Sequence, residues 1–290
     1  MRVAFLGPAG TFTEEALRAL APAGARLAAY PTVHETVMSV HAGEADRAVV
    51  PIENSLEGSV VATLDTLAGE ADDVRIAGEL VHPIRHCLLA RRPVELGRIE
   101  RVLSHPQAMA QCARFLRDRV SAAERVAAAS TAEAVKLVAG AEADWAAIGS
   151  RLAAELYGCT VLAEGIEDRP DNLTRFVWLA PAAEAQAEAA GRAPPGSGGQ
   201  ALKTSIVFWG FNDRSPGALV AVLRELADRQ INMTKIESRP RRVRLGHYMF
   251  FADLEGGADE PVVREALAAL ERRVRTLRVL GSYPAHAGPA

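Results

Sequence analysis

The chain has 290 residues, of which 49% are hydrophobic and 24% charged, and its formal net charge is −3. This length exceeds one typical domain, and the composition is that of an ordinary globular chain with enough apolar residues for large cores. A slightly acidic balance gives no support to a nucleic-acid partner, so any anion site must be built locally.

The first part of the chain alternates strands and helices. Residues 3–6 read as a strand, 11–20 as a helix and 26–30 as a strand. Thr32 and Glu35 form a capping-box pair that opens a helix to about residue 42. A strand at 48–51 leads to a helix at 59–67, and a strand at 74–81 continues into 87–90. The strand 102–104 precedes an amphipathic helix from about residue 107, with Ala108, Cys112, Phe115 and Leu116 at core spacing. Residues 125–129 are strand-like, and Ser130 with Glu133 forms a second capping box. A strand at 146–149, a short helix, and strands at 160–166 and 176–179 complete this part. Strands separated by roughly 10–15 helical residues predict a mainly parallel, doubly wound α/β architecture.

Residues 181–202 break the pattern. An Ala/Glu/Gln stretch runs into Pro194-Pro195-Gly196-Ser197-Gly198-Gly199, the composition of a linker that does not order itself. Beyond it come a strand at 203–211 and a helix at 217–230, with Leu219, Val222, Leu223 and Leu226 on one stripe. Strands at 231–238 and 247–255, a helix at 261–274 and a strand at 276–283 follow. Tyr248, Phe250, Ala252 and Leu254 alternate onto one face. The order β-α-β-β-α-β is the ferredoxin-like motif.

Cys87, Cys112 and Cys159 are odd in number, widely spaced and outside any CxxC pattern, so neither a disulfide framework nor a zinc knuckle is expected. The N-terminus is too short in apolar residues for a signal h-region, and no apolar run approaches the ~18 residues of a membrane span. A cytoplasmic chain without a membrane partner, metal or cofactor is expected.

Four segments carry compact polar sets. Gly7-Pro8-Ala9-Gly10-Thr11 leaves a strand and opens a helix, where unpaired N–H groups and the helix dipole favour an anion. It lacks the spacing of a nucleotide loop, and taken alone it reads first as a tight strand-to-helix turn. Glu53, Asn54 and Ser55 follow a strand, the edge at which open α/β sheets bind ligands; a solvated, capped loop also fits. Ser104-His105-Pro106-Gln107 has the same placement, and a loop histidine reads first as polar surface. Thr174 and Arg175 stand at the entrance of an apolar strand, after Asn172. They face either solvent or a cleft, and in a cleft they combine a hydroxyl donor with a permanent cation. The four sets contain no metal-ligand cluster and no Ser-His-Asp arrangement, and together they suit a small dicarboxylate.

In order, these segments resemble the prephenate dehydratase family. The resemblance rests on Gly7-Pro8-Ala9-Gly10-Thr11-Phe12, Pro51-Ile52-Glu53-Asn54-Ser55 with Gly58, and His86-Cys87-Leu88-Leu89. It continues through Ser104-His105-Pro106-Gln107-Ala108 with Gln111-Cys112, Ser130-Thr131-Ala132, and Asn172 with Thr174-Arg175-Phe176. Gly217-Ala218-Leu219 and Ile231-Asn232-Met233-Thr234-Lys235-Ile236-Glu237-Ser238-Arg239-Pro240 resemble an ACT regulatory domain.

The resemblance implies an α/β fold with a bilobal, periplasmic-binding-protein-like (type II) catalytic region over 1–180. Its lobes are expected at about 1–77 plus 165–180, and 78–164, with the site between them. A linker at 181–202, an ACT domain of ferredoxin-like βαββαβ order at 203–283 and a tail at 284–290 follow. With no mutase or dehydrogenase segment apparent, a monofunctional enzyme is expected. The implied activity is decarboxylative dehydration of prephenate to phenylpyruvate in phenylalanine biosynthesis. Thr174 is implied to face the leaving hydroxyl, with Arg175, Asn172 and Glu53 as further catalytic candidates, Glu53 as a reserve acid. Thr11, Asn54, Ser55, Ser104, Gln107 and Phe176 are candidates for substrate binding. Gly217, Ala218, Leu219, Asn232, Glu237 and Ser238 are implied to hold L-phenylalanine as effector at an inter-subunit site of a homodimer or homotetramer. Arogenate dehydration and a non-catalytic sensor of aromatic amino acids are the rival readings. The run Arg239-Pro240-Arg241-Arg242-Val243-Arg244 reads as a solvated hairpin loop.

Overall fold

The structure is a computed structural model and describes residues 1–191, 201–211 and 215–286, with backbone alone at 187–191. Its first sheet has the strand order Arg26–Tyr30, Arg2–Leu6, Arg47–Asn54, Leu173–Pro181, Val74–Pro83, with the short strand Gly58–Ser59 paired to Arg47–Asn54. The second has the order Thr160–Glu164, Cys87–Ala90, Trp145–Gly149, Arg101–Ser104, Glu124–Ala127. The chain passes between these sheets twice, from Val74–Pro83 to Cys87–Ala90 and from Thr160–Glu164 back to Leu173–Pro181. Two α/β sheets joined by two crossings make the bilobal periplasmic-binding-protein-like region.

Strand alternation explains why the second sheet is covered on both faces. Leu88, Val102, Ala146 and Ile148 pack with Ala108, Cys112 and Leu116. Their neighbours Cys87, Leu89, Leu103 and Ala147 pack with Ala134, Val135, Val138, Ala153 and Ala154. Side-chain caps fix the helix starts that aim at the strand ends. Thr32, Ser130 and Ser150 accept the N–H groups of Glu35, Glu133 and Ala153 at 3.1, 3.0 and 3.0 Å. Each such cap contributes about 1 kcal/mol.

The C-terminal sheet is antiparallel in the order Met233–Pro240, Tyr248–Glu255, Leu202–Trp209, Thr276–Pro284, the ferredoxin-like arrangement. Ile206, Phe208, Ala252 and Leu254 bury one face against Val222 and Leu226 of Ala218–Ala227 and Ala266 and Leu270 of Pro261–Glu271. The expectation of a single apolar face on Tyr248–Glu255 is too narrow, because Met249, Phe251 and Asp253 are buried too. The strand Thr276–Pro284 lies so close to Val74–Pro83 that a Cβ on Gly281 would sit 2.2 Å from the Ile76 carbonyl oxygen. Only glycine permits that approach.

Several local expectations change. The second sheet is mixed rather than mainly parallel, since Cys87–Ala90 pairs antiparallel with both Thr160–Glu164 and Trp145–Gly149. The helix expected from residue 107 is two, Pro106–Gln111 and Ala113–Arg119, broken at Cys112. The front of the expected linker is a helix, Ala182–Gly191, anchored by buried Ala185 against Ala77 and Ala180. Alanine is small enough to pack there, which composition alone does not convey. The Pro/Gly-rich run 194–199 and residues 287–290 of the tail lie outside the described residues.

By compactness the chain divides into two units. One comprises Met1–Thr36, Val49–Gly58 and Val81–Phe176; the other comprises Val37–Ala48, Ser59–Leu80 and Val177–Ala290. The second therefore groups the ferredoxin-like domain with the helix Val61–Gly69 and most of Val74–Pro83, a different grouping from the lobes expected above.

Candidate active site

Asn54 ends one strand of the first sheet, and Thr174 stands near the start of the next strand in the sheet order. The Asn54 side-chain oxygen accepts the backbone N–H groups of Leu56 and Glu57 at 2.9 and 3.0 Å. That fixes the amide, so its Nδ2 points at Asn172 Oδ1 (2.8 Å), the Leu173 carbonyl (3.2 Å) and Thr174 Oγ1 (2.8 Å). Thr174 is buried at 7% exposure. Its oxygen receives the Asn54 hydrogen bond, so that contact leaves the hydroxyl proton uncommitted. Asn172 Nδ2 in turn donates to Gln111 Oε1 at 3.0 Å. The result is an uncharged chain of amides ending on a hydroxyl.

Ser55 braces this cluster rather than extending it. Its hydroxyl accepts the Leu173 N–H (3.0 Å) and donates to the Asp171 carbonyl (3.3 Å), holding both sides of Asn172. Arg175 and Glu53 are the strand neighbours of Thr174 and Asn54, and alternation turns them to the opposite face. There Arg175 Nη2 lies 3.0 Å from Glu53 Oε2. Glu53 is 38% exposed and paired with a guanidinium, so the burial required of a reserve acid is absent. Phe176 is buried and meets the His82 ring edge-on, with centroids 6.4 Å apart.

Other candidates stand apart from Thr174. The Thr11 hydroxyl caps the helix Phe12–Leu20, donating to the Leu6 carbonyl at 3.0 Å. The Gly10 N–H is taken by the Glu14 carboxylate at 2.7 Å, so part of the suspected anion turn is filled from within the chain. Ser104 is fully buried and donates to the Ile148 carbonyl at 2.9 Å. Gln107 is exposed, and its backbone N–H meets His105 Nδ1.

Two contributors went unassigned among the candidates, Gln111 and His86. His86 is buried, and its Nε2 lies 3.0 Å from Gln111 Oε1. Burial lowers its pKa, against the opposing effects of the Gln111 hydrogen bond and the Glu167 charge. Gln111 follows Gln107 by one helical turn, a spacing readable in the chain, whereas nothing local marks His86 as its partner.

The thiols offer no nucleophile. Burial pushes Cys87 up to about 11 and raises Cys112 and Cys159 as well. His41, Asp72 and Asp73 bring possible metal-ligand atoms within 4.8 Å of one another, but all three are exposed. A cavity of about 1090 Å³ is lined by Gly7, Pro8, Tyr30, Ser130, Lys136 and Trp145 among others, and Thr174 does not line it.

In the C-terminal domain, Gly217 takes a left-handed conformation (φ 81°) at the start of Ala218–Ala227. Leu219 packs on the core as a half-buried residue, and Asn232 and Ser238 are exposed. Ser59 Oγ donates to Glu237 Oε2 at 3.3 Å and accepts from Lys235 Nζ at 2.7 Å. The arginine-rich hairpin is not simply solvated. Arg239 and Arg242 reach Asp65 at 3.1 and 2.9 Å, and Arg241 lies 4.9 Å above the Trp209 ring.

An α/β catalytic region with an uncharged hydroxyl–amide cluster, joined to a ferredoxin-like domain, defines the class. A family model described as prephenate dehydratase matches residues 3–184, and one for the ACT domain matches 204–272. The prephenate dehydratase of Amycolatopsis methanolica is 42% identical over 282 residues, covering 97% of this chain and 88% of that protein. The crystal structure of prephenate dehydratase in complex with L-Phe from Arthrobacter aurescens has a TM-score of 0.85 at 39% identity, covering 100% of this chain and 94% of the other. A structure described as a novel type of quorum-quenching acylase reaches 0.84 at 31% identity, covering 99% of both chains. The chain belongs to the prephenate dehydratase family and carries an ACT domain.

Proposed function

We propose that the chain converts prephenate to phenylpyruvate with Thr174 as hydrogen-bond donor to the departing oxygen. The observation that carries this is the 2.8 Å contact in which Asn54 Nδ2 donates to Thr174 Oγ1. Prephenate loses its ring carboxylate as carbon dioxide, the freed electron pair enters the ring, and the C4 hydroxyl departs, taking one proton to become water. Aromatisation supplies the driving force, so the protein has to hold the substrate and stabilise the leaving oxygen. A threonine hydroxyl is a weak acid, and hydrogen-bond stabilisation fits it better than full proton donation. Asn54 and Asn172 orient the hydroxyl, while Arg175 with Glu53 braces the opposite face of the strands.

The catalytic region is taken as 1–180 and the regulatory domain as 203–283, close to the two family-model spans. L-phenylalanine is the effector we assign to that domain, on the strength of the L-Phe complex of the Arthrobacter aurescens relative. A cytoplasmic homodimer or homotetramer with an inter-subunit effector site completes the reading. Phenylpyruvate formation by purified protein, with and without phenylalanine, tests it directly. Faster turnover of arogenate would replace the substrate. Acylase activity without prephenate turnover would move the chain toward the function of its acylase relative, a reaction for which the buried thiols supply no activated nucleophile.

A further inference from the structure

We propose that His86 is a positioning residue for this reaction: its Nε2–H locks the Gln111 end of the hydrogen-bond chain whose direction the Leu56 and Glu57 N–H groups set at Asn54, and so keeps the Thr174 proton available to the leaving oxygen. The proposal rests on the reading of Thr174 given above. A row of carboxamides has two self-consistent directions, because each amide carries a donor and an acceptor at similar places. In the direction found, His86 Nε2 and Asn172 Nδ2 both meet Gln111 Oε1, and Asn54 Nδ2 meets Asn172 Oδ1 and Thr174 Oγ1. Reverse all three amides and they still bond to one another. The Asn54 oxygen would then face Thr174 and take its proton.

The ends of the row select between these directions. At the Thr174 end, the Leu56 and Glu57 N–H groups require the Asn54 oxygen. At the other end, Glu57 Oε1 is exposed and 3.4 Å from Gln111 Nε2, a weak anchor. His86 is a stronger one. Its backbone N–H donates to Glu167 Oε2 at 2.9 Å, its carbonyl accepts from Ile166 at 3.2 Å, and Phe12 meets the ring edge-on at 5.3 Å. Nδ1 is buried with no partner among the described residues. A proton there would be a buried donor without an acceptor, which is worse than a bare lone pair. The proton therefore sits on Nε2, and a neutral ring in this tautomer accepts nothing from Gln111.

Nitrogen-15 NMR of ring-labelled protein tests the tautomer without altering the chain, with the His86 signal assigned by its loss in His86→Gln. The neutral Nε2–H form is expected, and an Nδ1–H form overturns the proposal. In kinetics, His86→Leu is expected to lower kcat about 10–100-fold with KM little changed, as for partners that orient a reacting group. His86→Gln, which offers an N–H at nearly the same place, recovers most of the loss. In a Thr174→Val background, His86→Leu is expected to cost little more, because the hydroxyl it orients is gone. Equal losses in both backgrounds assign His86 to packing and overturn the proposal. Failure of the Thr174 reading itself looks different, since Thr174→Val alone would then keep its turnover.

Discussion

The polar cluster at Thr174 and the contacts that the C-terminal domain makes with residues 59–79 are built from opposite materials. Around Thr174 the groups are neutral, Asn54, Asn172, Gln111 and His86, and each is held by bonds of 2.8–3.0 Å with defined direction. Those contacts each involve a charged side chain instead: Lys203 to Glu79, Arg239 and Arg242 to Asp65, and the Lys235 ammonium to the Ser59 hydroxyl. Neutral donors determine where a proton points, which is what a leaving hydroxyl needs. Charges tolerate rotation and distance, and they hold surfaces together without fixing a proton. The two regions should therefore fail differently when cut.

The largest effect is expected at Thr174. Thr174→Val keeps the shape and removes the hydroxyl, and turnover of prephenate should fall about 10²–10³-fold, the scale of one lost positioned donor. Thr174→Ser keeps the hydroxyl and should stay far closer to the parent. Stability should barely move in either variant, which urea titration checks alongside the rate. Equal turnover of the two variants removes Thr174 from the chemistry and ends the contrast drawn above.

Lys203 should show the reverse, lost stability with intact chemistry. Glu79 is buried at 1% side-chain exposure and lies 2.6 Å from Lys203 Nζ. Taking away one partner of such a pair leaves a buried charge, at a cost of about 3–5 kcal/mol. Lys203→Met should thus lower the urea midpoint strongly, and adding Glu79→Met should restore most of it. A single variant as stable as the parent would mean that the other donors to Glu79, the His286 N–H at 3.0 Å among them, hold its charge without Lys203.

The difference in materials also explains what could be read from the chain. Alternating strands and helices, the capping pairs at Thr32 and Ser130 and the βαββαβ order were all legible, because periodicity and capping are local. Thr174 was legible as an intrusion in an apolar strand. That Arg175 turns away from it follows from strand alternation, yet only the length of Leu173–Pro181 makes the alternation apply, and the sequence suggested a strand beginning at residue 176. Ser104 and Gln107 sat in a suggestive turn, but one hydroxyl closes on the Ile148 carbonyl and the other side chain points outward. His86 pairs with a residue 25 positions away, and no local signal encodes such a partner. The helix Ala182–Gly191 was hidden by a composition that also describes linkers.

A smaller effect separates His86 from the ionic contacts by pH. Burial lowers its pKa below the ordinary value of 6.5, so the unfolded chain binds the proton more readily than the folded one. Stability then rises with pH between the folded-state pKa and 6.5, and the contribution is fully present above 6.5. The slope from one such group is at most about 1.4 kcal/mol per pH unit. Unfolding free energies of the parent and His86→Gln, measured at several pH values, should converge as the pH drops below 6.5. Parallel curves across that interval would show that His86 titrates alike in both states.

The smallest effect is expected at Asp65, where two arginines share one carboxylate. Arg242 is 73% exposed, and Asp65 and Arg239 keep 21% and 17% side-chain exposure. Water and salt weaken such pairs, and exposed examples contribute about 0.2–1 kcal/mol. Asp65→Asn should therefore lower stability by less than about 1 kcal/mol at low ionic strength, and the deficit should shrink in about 1 M salt, where the screening length is near 3 Å. Phenylpyruvate formation without effector should be unchanged, because Asp65 touches none of the neutral groups around Thr174. A loss of turnover comparable to Thr174→Val would mean that these charges also set the chemistry, and the division between charged docking and neutral positioning would have to be given up.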